Sequence, residues 1–119
     1  MIYNSMDLNN KITIIIVAYN STNLIFDCLK SLKNFKIIVV DNKNDKSIID
    51  KLENYENVSI ITKNKNLGFG NAINFAFEYV ETENFLVLNP DILISEESIL
   101  KIKKTIDRHA DCAIAAPIN

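Results

Sequence analysis

KITIIIVAYN, residues 11–20, is β-branched and almost wholly apolar until it reaches a tyrosine and an asparagine. Successive side chains of a strand point to opposite faces, so a strand with one wet face alternates apolar and polar residues. This one does not alternate. Both of its faces need cover, which is the condition of a parallel strand inside an α/β sandwich. Its unbroken apolar run, residues 14–19, is far too short to cross a bilayer.

Reading outward, NLIFDCLKSLK places Leu24, Ile25, Cys28, Leu29 and Leu32 on one helical face. FKIIVVDN reads as a second buried strand, SIIDKLENY as a helix with Ile48, Ile49 and Leu52 inward, and NVSIIT as a shorter strand. GNAINFAFEYV carries Ala72, Ile73, Ala76 and Val80 at helical spacing, and NFLVLN reads as a fourth, fully buried strand. Ser95 then caps EESILKIKKTIDRH, whose Glu96 and Glu97 suit the positive end of the helix dipole. CAIAAP is expected to form a fifth strand. Alternating strands and helices of these lengths predict an α/β, three-layer sandwich with a mostly parallel sheet. Right-handed crossovers favour the order 3-2-1 for the first half, with the fourth strand returning to the far side of the first. That return creates a switch point between strands one and four, where ligands of open α/β sheets bind beyond the carboxyl ends of the strands.

The 119 residues are 48% apolar with a net charge of −2. They read as one domain with a real core, with no sign of disorder and no basic footprint for nucleic acid. Lysines and acids are interspersed, as on a solvated surface. The N-terminal MIYNSMDLNNK lacks the basic segment and apolar stretch of a secretory signal, so a cytoplasmic location is the expectation. Cys28 reads as a small core residue, and it forms no metal-type pair with Cys112. His109, the single histidine, closes a helix, where the dipole explains it as well as catalysis does. One histidine without partners argues against a zinc site or a Ser-His-Asp triad.

Three long strands end in polar residues at the same sheet edge: Tyr19-Asn20-Ser21, Asp41-Asn42 and Asn89-Pro90-Asp91. Any one tip is ordinary where a strand reaches the surface. Three around one crevice point to a ligand, with Asp41 placed to accept hydrogen bonds from a ribose or base and Asp91 at the switch point. The turn AYNSTN has no glycine for close approach to a pyrophosphate, and no GxxxxGK[ST] is present. Gly68 and Gly70 in NLGFGNA are weak evidence and could be a helix entry turn. A diphosphate here would need other neutralisation, and a magnesium or manganese ion held by Asp91 suits a hard oxygen site.

Four ordered stretches, TIIIVAYNS, IIVVDNKNDKS, NKNLGFGNAINFAF and FLVLNPDI, resemble the nucleotide-binding half of a family 2 glycosyltransferase of the GT-A fold. They are most similar to its rhamnosyltransferase-like branch, and the resemblance covers residues 12–119. In that family the residues after strand one and the aspartate after strand two contact the nucleoside, which implies Ala18, Tyr19, Asn20 and Asp41. The motif Asn-x-Gly-(Phe/Tyr)-x-x-(Ala/Gly)-x-Asn falls on Asn66, Gly68, Phe69, Ala72 and Asn74 and would line the nucleotide-sugar pocket. The implied nucleotide-binding set is Ala18, Tyr19, Asn20, Asp41, Asn66, Gly68, Asn71 and Asn89. Asn89-Pro90-Asp91 stands where the family has its DxD metal motif. Asp91 would therefore coordinate Mn2+ or Mg2+ alone, and weakly until the donor diphosphate completes the shell.

The resemblance implies metal-dependent transfer of a sugar from a nucleotide-diphosphate sugar, dTDP-rhamnose by branch, to a glycan or lipid-linked acceptor with inversion. Family catalytic domains are longer than this chain. The part that normally follows AAPIN supplies the acceptor site and the carboxylate that deprotonates the acceptor. Residues 1–119 are thus read as a nucleotide-sugar-binding domain truncated before the acceptor-binding part, with the general base beyond Asn119. Lys43 departs from the serine or threonine usual at its position, so a phosphate contact and plain exposure are both open. Two other readings stand beside the enzyme: a non-catalytic nucleotide-binding or interaction module left by truncation, and a generic flavodoxin-like domain. An open edge on the last strand would offer a surface for a homo-oligomer. A lipid-linked acceptor would bring peripheral contact with the inner face of the membrane, without a transmembrane segment.

Overall fold

The computed structural model describes residues 10–109. Its elements are β1 (Ile12–Ala18), α1 (Leu24–Lys30), β2 (Lys36–Asp41), α2 (Lys46–Leu52), β3 (Val58–Thr62), α3 (Phe69–Phe77), β4 (Asn84–Leu88) and α4 (Glu96–Arg108). The described strands form one sheet in the order β3-β2-β1-β4, and every pairing is parallel. This is the α/β sandwich and the strand order that the sequence predicts. The described helices include none long and apolar enough to cross a membrane.

β1 is buried along its whole length. Ile12, Ile14, Ile16 and Ala18 join Ile37 and Val39 under α1, α2 and α4, while Ile15 and Val17 join Ile38 and Val40 under α3. Among the described helices α3 lies alone on its face, because the chain must cross from β3 over β2 and β1 to reach β4. A right-handed crossover in that reversed direction lands on the opposite side of the sheet. Ala72 and Ala76 are fully buried there, and their small side chains let the helix lie close on the strands.

Two packing expectations are corrected. Leu24 is 54% exposed, whereas Ile25, Cys28, Leu29 and Leu32 are buried. Those four form a complete inward seam at i, i+3, i+4 and i+7. Leu24 opens the helix, and its Cβ leans back past the helix end. β4 is not fully buried either, since only Leu88 is buried and Phe85 is 41% exposed. It is the outer strand among the described residues, and the Phe77 ring of α3 meets Phe85 edge-on at 5.5 Å. The expected fifth strand CAIAAP, with Cys112, lies outside the described residues.

The helix ends follow local chemistry. Ser95 Oγ accepts from the Ser98 N–H at 3.1 Å, and Asp45 Oδ1 accepts from the Ser47 N–H at 3.1 Å. Lys103 of α4 is an unanticipated core residue at 2% exposure. Its ammonium donates to Asn84 Oδ1 and Asp107 Oδ1 and pairs with Glu83, so the buried charge is satisfied at the amino-terminal end of β4.

If α3 seats on the sheet through its alanines, Ala76→Leu overpacks the interface and lowers stability by about 1–3 kcal/mol. Chemical denaturation reads the change, and an unaltered midpoint would contradict this facing of α3.

Candidate functional site

The register puts Ala18, Asp41 and Thr62 side by side at the carboxyl edge. Ile16 pairs with Leu88, so Asp91 lies slightly farther out on the other side of β1. Asp41 and the β4 tip are separated by two strand spacings, about 10 Å.

The tips are tied together by asparagines. Asn44 Nδ2 donates to the Ala18 carbonyl at 2.6 Å and to Asp41 Oδ1 at 3.0 Å, while its Oδ1 accepts from the Ser21 N–H at 2.9 Å. The Asn20 N–H donates to the Lys43 carbonyl at 3.0 Å, and the Asn42 N–H to Ala18 at 2.8 Å. Asn42 Oδ1 accepts from the Leu67 N–H at 2.6 Å, and Asn66 Oδ1 accepts from the Gly68 N–H at 2.9 Å. Thr62 Oγ1 donates to the Asp41 carbonyl at 3.2 Å and accepts from the Asn64 N–H at 2.9 Å. Asn20, Lys43 and Asn64 adopt positive φ of 47°, 86° and 60° at these turns. Asparagine tolerates that region, but for lysine it is strained. Gly68 has φ 79° with open space where a Cβ would stand, so backbone conformation rather than crowding calls for glycine there.

A cleft of about 500 Å³ opens at the β2 and β3 tips, lined by Asp41, Lys43, Asn44, Thr62, Asn64, Lys65 and Asn66. Of the expected residues it gathers Asp41 and Asn66. Tyr19, Asn20, Gly68, Asn71 and Asn89 are exposed along the same edge without lining this cleft, and Ala18 is buried with its carbonyl occupied. Asn71 Nδ2 donates to the Leu67 carbonyl at 3.1 Å. Lys43 is exposed and borders the cleft, joined by Lys65, which the sequence did not single out. Asn42 and Asn44 were likewise missed as holding residues; the available signal was their alternation about a turn residue in DNKN.

Asn89 to Ile92 form a β-turn, with the Ile92 N–H donating to the Asn89 carbonyl at 3.1 Å and Pro90 in the second position, which proline favours. The turn sets Asp91 at the surface near α1. Burial chiefly, and then the Asp91 charge, push the Cys28 thiol up to about 11. No group of three or more His, Cys, Asp or Glu side chains suited to a metal occurs among the described residues. Asp91 offers a single exposed carboxylate, a hard-oxygen group that would suit magnesium or manganese only where phosphate oxygens completed the shell.

The sequence model of the family described as Glycosyl transferase family 2 matches residues 13–119. The poly(ribitol-phosphate) beta-glucosyltransferase of Bacillus spizizenii is 37% identical over 103 residues, covering 76% of this chain and 16% of its own length. The dTDP-rhamnosyl transferase RfbF of Shigella flexneri is 30% identical over 118 residues, covering 93% of this chain and 39% of its own length. Among solved structures, S. aureus TarS 1-349 superimposes with a TM-score of 0.70 at 29% identity, over 84% of this chain and 33% of that one. The mannosyltransferase PcManGT from Pyrobaculum calidifontis, in complex with GDP-Man and Mn2+, shares the fold with a TM-score of 0.63 at 18% identity, over 76% and 30%. The chain thus spans well under half the length of each of these proteins.

Cys28 is a core thiol and not a nucleophile, because the reactive form is the thiolate. In a Cys112→Ser background it should resist a thiol reagent at pH 8 until the chain unfolds, and rapid native labelling would refute this. The folded value stands above the ordinary 9.0, so above pH 9 the unfolded chain ionises first. Stability should therefore fall as pH rises from 9 toward about 11.

Proposed function

The chain belongs to glycosyl transferase family 2, and from that membership we propose that it forms the donor-binding part of a glycosyltransferase acting on a nucleotide-diphosphate sugar. The observation that carries this reading is the hydrogen-bonded rim, in which Asn42 and Asn44 join the tip of β1, the tip of β2 and the turn before α3. Three motifs far apart in sequence become one surface.

On this reading the nucleoside lies over β2. Asp41 Oδ1 is held by Asn44, which leaves its second oxygen to accept from the ribose or base. Asn66 lines the same cleft, and with its Oδ1 engaged by the Gly68 N–H its amide nitrogen is left to donate. The diphosphate then runs across β1 toward Asp91, a span of about 10 Å set by the strand spacing and suited to a nucleoside diphosphate. Asp91, with Asn89 beside it, would hold manganese or magnesium on the phosphate oxygens. Such an ion supplies electrostatic stabilisation of the leaving diphosphate. The acceptor hydroxyl would form its bond to the anomeric carbon as the bond to the diphosphate oxygen breaks, inverting that centre. Its proton passes to a base that we assign to no residue of this chain. Resemblance favours dTDP-rhamnose as donor and a glycan or lipid-linked acceptor.

Asp91→Asn keeps shape but removes the charge that pairs with the cation. Manganese should raise nucleoside diphosphate affinity in the unaltered chain, and calorimetry should find that enhancement gone in the variant; equal enhancement in both would sink the assignment. Asp41→Ala should weaken nucleoside and nucleoside diphosphate by similar factors, by about 1.5–3 kcal/mol for one charged hydrogen bond. Unchanged nucleoside affinity would remove Asp41 from the site.

A further inference from the structure

Asn42 follows Asp41 in sequence but turns the other way. It is 2% exposed and does not line the cleft. Its side-chain oxygen takes the Leu67 N–H at 2.6 Å, its side-chain nitrogen reaches the Gly68 carbonyl at 3.5 Å, and its backbone N–H holds Ala18 at 2.8 Å. A buried carboxamide is costly unless its polar atoms are bonded, so a position needing only bulk would be better filled by an apolar side chain.

The two walls of the cleft are supported differently. Asp41 is fixed by Asn44 from one side and Thr62 from the other. Asn66 sits in an exposed turn that meets α3 through the Gly68 carbonyl, which accepts the Ala72 N–H at 3.1 Å. Toward the strand tips, that turn is held through Asn42. Asn42 therefore sets where Asn66 stands relative to Asp41.

We propose that Asn42 is a positioning residue for the donor. It acts through Asn66, holding the turn before α3 at the spacing that lets one nucleotide bridge Asp41 and Asn66. The proposal rests on the function given above. Without Asn42, the Leu67 N–H loses its acceptor and the turn moves outward, while α3 stays seated through Ala72 and Ala76.

The test is a double-mutant cycle read by titrating UDP, dTDP and GDP in the presence of manganese. Asn42→Ala and Asn66→Ala should each weaken the preferred nucleotide by about tenfold, the scale of one lost hydrogen-bonded contact. In the double variant the loss should be no greater than in Asn66→Ala alone, because a residue acting through Asn66 has nothing left to position. Asn42→Asp keeps the acceptor for Leu67 and should recover affinity to within about threefold, the scale of a weaker bond lost. Asn57→Ala serves as the structural control. Asn57 donates to the Leu32 and Phe35 carbonyls at 3.0 and 2.9 Å, away from the cleft, so its loss should lower Tm and leave nucleotide affinity unchanged. Full affinity in Asn42→Ala, or losses that multiply in the double variant, would overturn the proposal. If Asn42→Ala does not fold, an Asn42→Asp chain as weak as Asn66→Ala overturns it equally. Should the unaltered chain bind none of the nucleotides, the proposed function falls and takes this inference with it. If Asp41→Ala weakens binding and Asn42→Ala does not, this inference falls alone.

Discussion

The burial of β1 on both faces is the constraint from which the rest follows. Ile14, Ile15 and Ile16 are fully enclosed, and the strand is hydrogen-bonded to β2 on one side and β4 on the other. A strand with no wet face and no free edge offers polar chemistry only at its ends. It also fixes the route of the chain. With β2 and β3 built outward on one side, β4 must return to the other and α3 must cross on the opposite face, so the direction of winding reverses between β1 and β4, while the described cleft lies beside that point at the β2 and β3 tips. The apolar content of one strand thereby places the tips that carry Asp41 and Asp91.

Those tips hold their shape without a glycine-rich loop. A carboxamide carries both the donor and the acceptor of a peptide group, so an asparagine side chain can bond backbone that no strand or helix satisfies. Asn44 does this for Ala18 and Ser21, Asn42 for Leu67 and Gly68, and Asn66 for Gly68. Asn20 and Asn64 take the left-handed conformations of the turns. Lys43 is the exception. A lysine at φ 86° costs on the order of 1–2 kcal/mol, and the turn is maintained by its carbonyl bond to Asn20. Strain of this kind persists where the surroundings over-determine the backbone, and here it brings an ammonium to the cleft wall.

Much of the fold was legible because it rests on periodicity. The doubly apolar β1, the inward seam of α1 beyond Leu24, the Ser95 cap and the strand order all follow from patterns within one element or from the handedness of crossovers. The misreadings share a cause as well. Phe85 and Val87 carry the apolar signal of a buried strand, but their exposure depends on what lies over them, and α3 stops at Phe77. Lys103 falls on the inward side of α4, and nothing local announces that Asn84, Glu83 and Asp107 converge on its ammonium. The site was legible in kind, as polar tips at one edge. Which asparagines bind a ligand and which hold the tips was not, because Asn42 and Asn66 differ only in which way a turn directs them.

The charges along the edge explain why a divalent ion belongs in the proposed function. Asp41 and Asp91 make no ion pair among the described residues. Lys43 and Lys65 border the cleft at the Asp41 end, whereas Asp91 sits in the Asn89–Ile92 turn, where its charge is felt by the buried Cys28 thiol. A diphosphate laid from β2 toward β4 thus leaves the lysines behind and arrives at a carboxylate of its own sign. Two like charges at about 4 Å repel by roughly 1–4 kcal/mol between the dielectric of water and that of a protein surface, which weakens binding in that pose. Placing a doubly charged cation between them turns the repulsion into two attractions. Lys43 and Lys65 border the cleft on the β2 and β3 side of β1, opposite to the side on which β4 carries Asp91.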